Sequence, residues 1–155
     1  MADELDAPVG GEASRTSELV ARLGLEPHVE GGWFRRTWVT EPQAVPDGYA
    51  ETRPFATGIY FLLHPGEVSR WHRVRAEELW LWHRGGPLIL RLGGNGNAPE
   101  VTDVLVLGPE VEHGEQPQVR VPAGVWQTAE TKGAEPVLVS CVVVPGFDFQ
   151  DFEML

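Results

Sequence analysis

Residues 66–85 read GEVSRWHRVRAEELWLWHRG, and the spacing inside this stretch decides the architecture. Five residues separate Gly66 from His72, and six separate Glu78 from Gly85. Glycine suits both ends of such a unit, because a residue without Cβ takes positive φ in a tight turn at no steric cost. Between the glycines, segments 69–74 and 79–83 carry Trp, Val and Leu and read as two strands. With side chains alternating along each strand, His72 and Glu78 are expected to reach one interior face of a hairpin.

Working outward, His64-Pro65-Gly66 is a turn that closes a strand expected at 57–63. Upstream, 33–39 reads as a strand and 41–54, with its prolines and Asp47-Gly48, as a loop. Downstream, strands are expected at 88–92, 103–107, 119–121, 125–129 and 137–144. The GGNGN after Leu92 has no strand–turn–helix context and reads as a hairpin turn, not a phosphate loop. One helical period precedes all of these. Ser14 or Thr16 can cap it, Leu19, Val20 and Leu23 form its apolar face, and Gly24 ends it. Residues 1–13 form an acidic tail with nothing to bury, expected to be flexible, which leaves 14–155 as one domain. Many short strands between Gly and Pro turns indicate an all-β sandwich, barrel or jelly roll. The lack of helices between strands argues against a parallel α/β sheet.

The composition fits this reading. A chain of 155 residues has room for one ordinary core, and 42% hydrophobic with 23% charged residues is a globular composition. A net charge of −11 argues against phosphate-neutralising contacts with nucleic acid and against docking on anionic lipid. The N-terminus lacks the basic and apolar regions of a secretory signal, and no apolar run approaches the ~18 residues of a membrane span. Cys141 is the lone cysteine, which excludes an internal disulfide and fits a reducing compartment. It lies in the apolar run 137–144, so a packing role is expected. These features predict a cytoplasmic chain.

With Gly66, His72, Glu78 and Gly85 in place, the stretch resembles the first cupin motif, G-x5-H-x-H-x3–4-E-x6-G. Residues 122–127, PAGVWQ, resemble the second motif, P-x-G-x-x-H, although Gly114 lies two residues too far upstream for its usual spacing. Five blocks are similar to the uncharacterised branch of RmlC-like cupins: LGLEPHVEGGWFRRTW, RPFATGIYFLL, EELWLWHRG, VPAGVWQTA and VSCVVVPGFDFQDFEML. That branch is recognised by an EGG-aromatic-F-R entry and a PGF-D-F-x-D-F exit. The likeness runs from about Leu19 to the C-terminus. It implies an all-β double-stranded β-helix, the cupin jelly-roll barrel, with one short N-terminal helix, a ligand-sized pocket and a homodimer. It also implies a fold shared with deoxysugar-nucleotide epimerases, without an established reaction.

The departures bear on chemistry. Metal-binding cupins take two His and a Glu from the first motif and a third His from the second. Here Val74 and Gln127 stand at the second and third His positions. One imidazole, one carboxylate and one amide form a weaker set than the three N, S or carboxylate ligands usual at catalytic zinc or iron. No cofactor is expected; a divalent metal, if held, would use His72, Glu78 and Gln127.

The site residues follow. His72 could act as general base with Glu78 holding its tautomer, and Tyr60 as acid, or the polar pair could be a structural hydrogen bond. Trp80 and Trp82 share the parity of Glu78 and should point inward, as pocket wall or as core. Trp71 and Trp126 have the opposite parity to His72 and Gln127 and should pack outside or against a second subunit. The resemblance places Glu30, Phe34 and Arg35 near the pocket mouth, as ligand contacts or as a turn, and Gln127 among the ligand-binding residues. Phe147, Phe149 and Phe152 are expected to pack the C-terminus onto the barrel. Three function classes stay open. They are a cofactor-independent isomerase, epimerase or lyase, a metal-dependent oxygenase-type enzyme, and a non-catalytic small-molecule binding protein.

Overall fold

A computed structural model describes residues 18–41 and 43–155, so the tail 1–13 and the capping residues Ser14 and Thr16 lie outside the described residues. Residues 18–23 are helical. The strands are β1 (Glu26–Pro27), β2 (Trp33–Val39), β3 (Gln43–Ala44), β4 (Arg53–Pro54), β5 (Thr57–Leu63), β6 (Val68–Val74) and β7 (Glu77–Arg84). They continue with β8 (Leu88–Leu92), β9 (Asp103–Leu107), β10 (Gln118–Val121), β11 (Gln127–Thr131), β12 (Val137–Val144) and β13 (Phe152–Met154).

Two antiparallel sheets make a jelly roll, one ordered β1-β2-β5-β12-β7-β10 and the other β13-β6-β11-β8-β9. The sheets face each other and are not joined into one hydrogen-bonded cylinder. β5 explains the layering. Its residues Phe61 and Leu63 pack into the core between the sheets, while Leu62 and Tyr60 pack with Leu19, Val20 and Leu23 of the helix. Apolar on both faces, the strand shows no polar alternation in its sequence TGIYFLL. The facing sheet contributes Leu88, Leu90 and Leu92, alternate residues of β8.

Several expectations are corrected here. β6 and β7 are consecutive but not paired, because the chain crosses between sheets at Arg75 and Ala76. His72 and Glu78 therefore come from opposing sheets, not from one hairpin. The strand expected at 125–129 starts at Gln127, because the turn holding Gly124 at φ +75° and the Val125 N–H bond to Pro122 O occupy the preceding residues. The loop 41–54 contains the β3–β4 ladder, and β13 adds a strand that no alternation announced. The last glycine of the opening stretch is needed sterically. Gly85 has φ +97°, and a Cβ there would lie 1.9 Å from the backbone oxygen of Pro136.

Candidate active site

A cavity of 660 Å³ opens between the sheets at the end covered by the C-terminal segment. His72 and Glu78 line it, with Glu30 and His28 beside them. Glu30 is placed by the turn after β1. Gly31 has φ +110°, and its Cα lies so close to β6 that a Cβ would sit 2.1 Å from Val68 O. The same approach lets Ser69 Oγ donate to Glu30 Oε1 at 3.0 Å and puts Glu30 Oε2 3.2 Å from His72 Nε2. Glu30 and His72 are 6% and 3% exposed, so their hydrogen bonds form without competition from solvent.

The hydrogen bonds decide the tautomers. His72 Nδ1 is 2.8 Å from Arg70 O, and a carbonyl only accepts, so Nδ1 carries the hydrogen and Nε2 is bare. The contact with Glu30 then needs a proton on the carboxyl. At His28 the pattern reverses. Its Nδ1 accepts the Glu30 backbone N–H at 3.1 Å, so the neutral ring carries its hydrogen on Nε2. Burial, reinforced by the neighbouring His72, pulls His28 down to about 4. Burial also lowers His72, against the opposing pull of Glu78 and the Arg70 carbonyl. Burial pushes Glu30 up to about 8 against the Ser69 hydroxyl.

Glu78 is held from behind. Trp80 Nε1 donates to Gln127 Oε1 at 2.9 Å, and an indole N–H only donates, so the Gln127 amide must turn its NH₂ to Glu78 Oε1 at 2.6 Å. That leaves the other Glu78 oxygen for the cavity. Burial raises Glu78 to about 7, opposed by His72, Gln127 and Trp80 and reinforced by Glu30.

These shifts set the pH dependence of stability. Both carboxyls keep their protons in the folded chain to higher pH than in the unfolded chain, so stability falls as pH rises through that window. The two lowered histidines act the other way, but only below 6.5. Between pH 6.5 and 8 the Glu30 carboxyl alone accounts for about 2 kcal/mol of that fall. Urea denaturation at those two pH values should show the fall, and Glu30→Gln should flatten most of it; a stability that rises instead would contradict the assignment.

The structure sorts the expected residues. His72, Glu78, Glu30 and Phe34 line the cavity. Gln127 is fully buried behind it and works through Glu78. Tyr60 does not join them, because the β5 alternation turns it to the helix-covered face, which removes it as a general acid. Arg35 points outward and donates to Leu23 O, while Arg36, at the parity of Phe34, lines the cavity instead. Trp80 and Trp82 face inward but pack in the core, and only the Trp80 N–H reaches the site network. The partner of His72 is Glu30, not Glu78. Trp126 is buried under the chain's own turn, donating to Gly96 O with Arg73 over its ring.

His28 was missed, because it sits outside regular strands where alternation carries no information. The C-terminal phenylalanines do more than pack. Phe147, Phe149 and Phe152 form an edge-on trio that walls the cavity, and Phe152 stacks on His72 at 5.6 Å. The bidentate Arg53–Asp151 pair, at 2.8 and 3.0 Å, pins this segment to β4.

These residues do not fit a transition metal. Val74 supplies no donor, Gln127 Oε1 already accepts from Trp80, and His72 Nε2 faces the Glu30 carboxyl. Among the described residues, no group of three or more His, Cys, Asp or Glu is arranged to hold an ion. Nor is any described helix long and apolar enough to cross a membrane.

The family model described as Cupin superfamily (DUF985) matches residues 17–155. The uncharacterized protein YML079W of Saccharomyces cerevisiae is 29% identical, over 96% of this chain and 79% of its own length. A hypothetical protein from Leishmania major is 32% identical with a TM-score of 0.81, covering 90% of this chain and 86% of its own. Protein SO0799 from Shewanella oneidensis is 37% identical with a TM-score of 0.79, covering 90% and 83%.

Proposed function

We propose, for a chain that belongs to the DUF985 family of the cupin superfamily, that the cavity binds a small carbonyl compound and moves a proton at the carbon beside the carbonyl. The observation that carries this reading is the separation of protonation states in one buried cluster. Glu30 holds a proton against His72 Nε2 at 3.2 Å, while Glu78 titrates near neutrality with an oxygen free for the cavity. Carboxyl and imidazole groups driven apart in this way can divide acid and base roles.

In the forward step Glu78 takes the proton from carbon, and the C–H electron pair becomes the C=C bond of an enol. The carbonyl oxygen, hydrogen-bonded by the neutral His28 Nε2–H, gains the proton that Glu30 and His72 share. Once the enol oxygen returns its proton to Glu30, protonation of the opposite face by solvent gives an epimer, and delivery of the Glu78 proton to the γ carbon of a conjugated enol gives an isomer. Expulsion of a leaving group from the enol, with the O–H proton returning to Glu30 and the Glu78 proton going to the leaving group, completes a lyase reaction. His72 is thus a positioning and proton-holding residue rather than the base itself.

The test is deuterium exchange. A panel of small carbonyl compounds is incubated with the protein in D₂O, and loss of the proton signal beside the carbonyl is followed by NMR. Enzyme-dependent exchange of at least one compound that binds is the expected result. Binding without exchange across the panel would make the pocket a non-catalytic binding site.

A further inference from the structure

The polar atoms left open in the cavity define the edge of a ligand. His28 lines it with an Nε2–H that has no protein partner among the described residues, its Nδ1 being taken by the Glu30 N–H. Glu78, 8% exposed, brings an acceptor, because the Trp80–Gln127 relay commits only one of its oxygens. Glu30 and His72 satisfy each other. The floor therefore offers one donor and one acceptor. Around it stand Phe34, Phe147, Phe149 and Phe152, with Ile59 between the sheets. Flat rings stack on or edge against such phenyl faces, and a planar ligand loses little rotamer freedom on entering.

Charge narrows the choice further. A carboxylate would meet Glu78 in the floor and Glu51 and Asp148 on the way in, while, among the described residues, the one arginine that reaches the cavity without a carboxylate partner is Arg36. The other, Arg53, is bound bidentately by Asp151. An ammonium group would find no carboxylate pair in the floor, because Glu30 is turned to His72.

We infer that the cavity takes an uncharged planar ring in which a carbonyl oxygen lies directly beside a proton-bearing ring atom. The oxygen accepts from His28 and the neighbouring hydrogen points at Glu78. This goes beyond the proton-transfer reading of the same site: it names a ligand class from the open donor and acceptor, in which the hydrogen aimed at Glu78 is carried by a ring nitrogen.

The probe is 2-pyridone, a neutral planar ring whose N–H lies directly beside its carbonyl oxygen. N-methyl-2-pyridone keeps the oxygen and loses the hydrogen, and benzoate adds a charge. Titration calorimetry at pH 8 should show 2-pyridone binding about ten-fold or more tighter than either. Its affinity should rise from pH 6 to pH 8 as Glu78 loses its proton.

Glu78→Gln turns an amide NH₂ toward the ligand, so it should erase the preference for 2-pyridone over its N-methyl form. Phe149→Leu, at a side chain 59% exposed and safe for folding, should weaken both rings by about two- to five-fold. Equal affinity for the two pyridones, preference for benzoate, no binding at millimolar concentration, or a preference that survives Glu78→Gln would overturn the inference. Deuterium exchange is scored on another signal. Its failure alone leaves the ring assignment intact, and failed pyridone binding leaves the proton-transfer reading open to other carbonyl compounds.

Discussion

Replacing Glu78 by glutamine is expected to lower the rate of deuterium exchange by about 10²- to 10⁴-fold, the usual worth of a positioned general base. In barrier terms that is about 3–5 kcal/mol. The change is nearly isosteric. Gln127 can still donate to the new amide oxygen, so the relay from Trp80 survives and the fold should melt within a few degrees of the parent. What disappears is the Glu78 carboxyl oxygen that is left open to the cavity and takes a proton near neutrality.

The pH profile gives the second half of this test. Exchange should be weak in acid, rise as Glu78 ionises near pH 7, and fall again above about pH 8 as Glu30 loses the proton it holds against His72. A rate that keeps climbing through pH 9 would remove Glu30 as the proton donor. A variant with full exchange activity would remove Glu78 as the base.

Gln127→Leu carries the largest expected effect on stability. The leucine fills much of the space but supplies no hydrogen bond, so it strands two groups together. The Trp80 indole N–H loses its acceptor, and the Glu78 carboxyl loses the donor behind it, both at buried side chains. Each buried group left without a partner costs about 1–3 kcal/mol, which gives about 2–6 kcal/mol for the pair. Chemical denaturation should show this loss, and the Glu78 titration should move further up. Gln127→Glu is the informative companion, because it can still accept from Trp80 but sets a second carboxyl against Glu78. It should be tolerated better at low pH than at high pH. A Gln127→Leu protein as stable as the parent would mean that the relay is not a structural element.

Much of the architecture was legible in the chain. The β-class, the strands Trp33–Val39, Thr57–Leu63, Leu88–Leu92, Asp103–Leu107 and Val137–Val144, and the turn glycines all follow from local pattern and backbone sterics. His72 and Glu78 were legible for the same reason, because a kept spacing between turn glycines marks where two strands must begin and end. The residues Val74 and Gln127 at the second and third His positions were equally plain.

Other parts of the site had no local signature. Tyr60 looked available because TGIYFLL shows no alternation; its helix-covered face became visible only when residues 18–23 were seen packed on that side. Arg35 and Arg36 are neighbours in sequence, and one step of strand parity separates an outward side chain from one lining the cavity. β13 is three residues long and exists because β6 offers an open edge and Arg53 holds Asp151.

The pair of residues that opened the reading, His72 and Glu78, was thus determined by sequence in identity and approximate place. Tertiary structure alone decided what they do to each other. The chain crosses from one sheet to the other between them, so they meet from opposite walls instead of one hairpin. Glu30 and His28, more than forty residues upstream of His72, arrive through a glycine turn and take over the imidazole and the proton. Spacing along a chain encodes which residues share a strand. Which groups share a proton depends on contacts across sheets and on exclusion of water, and both arise only when the sheets close on one another.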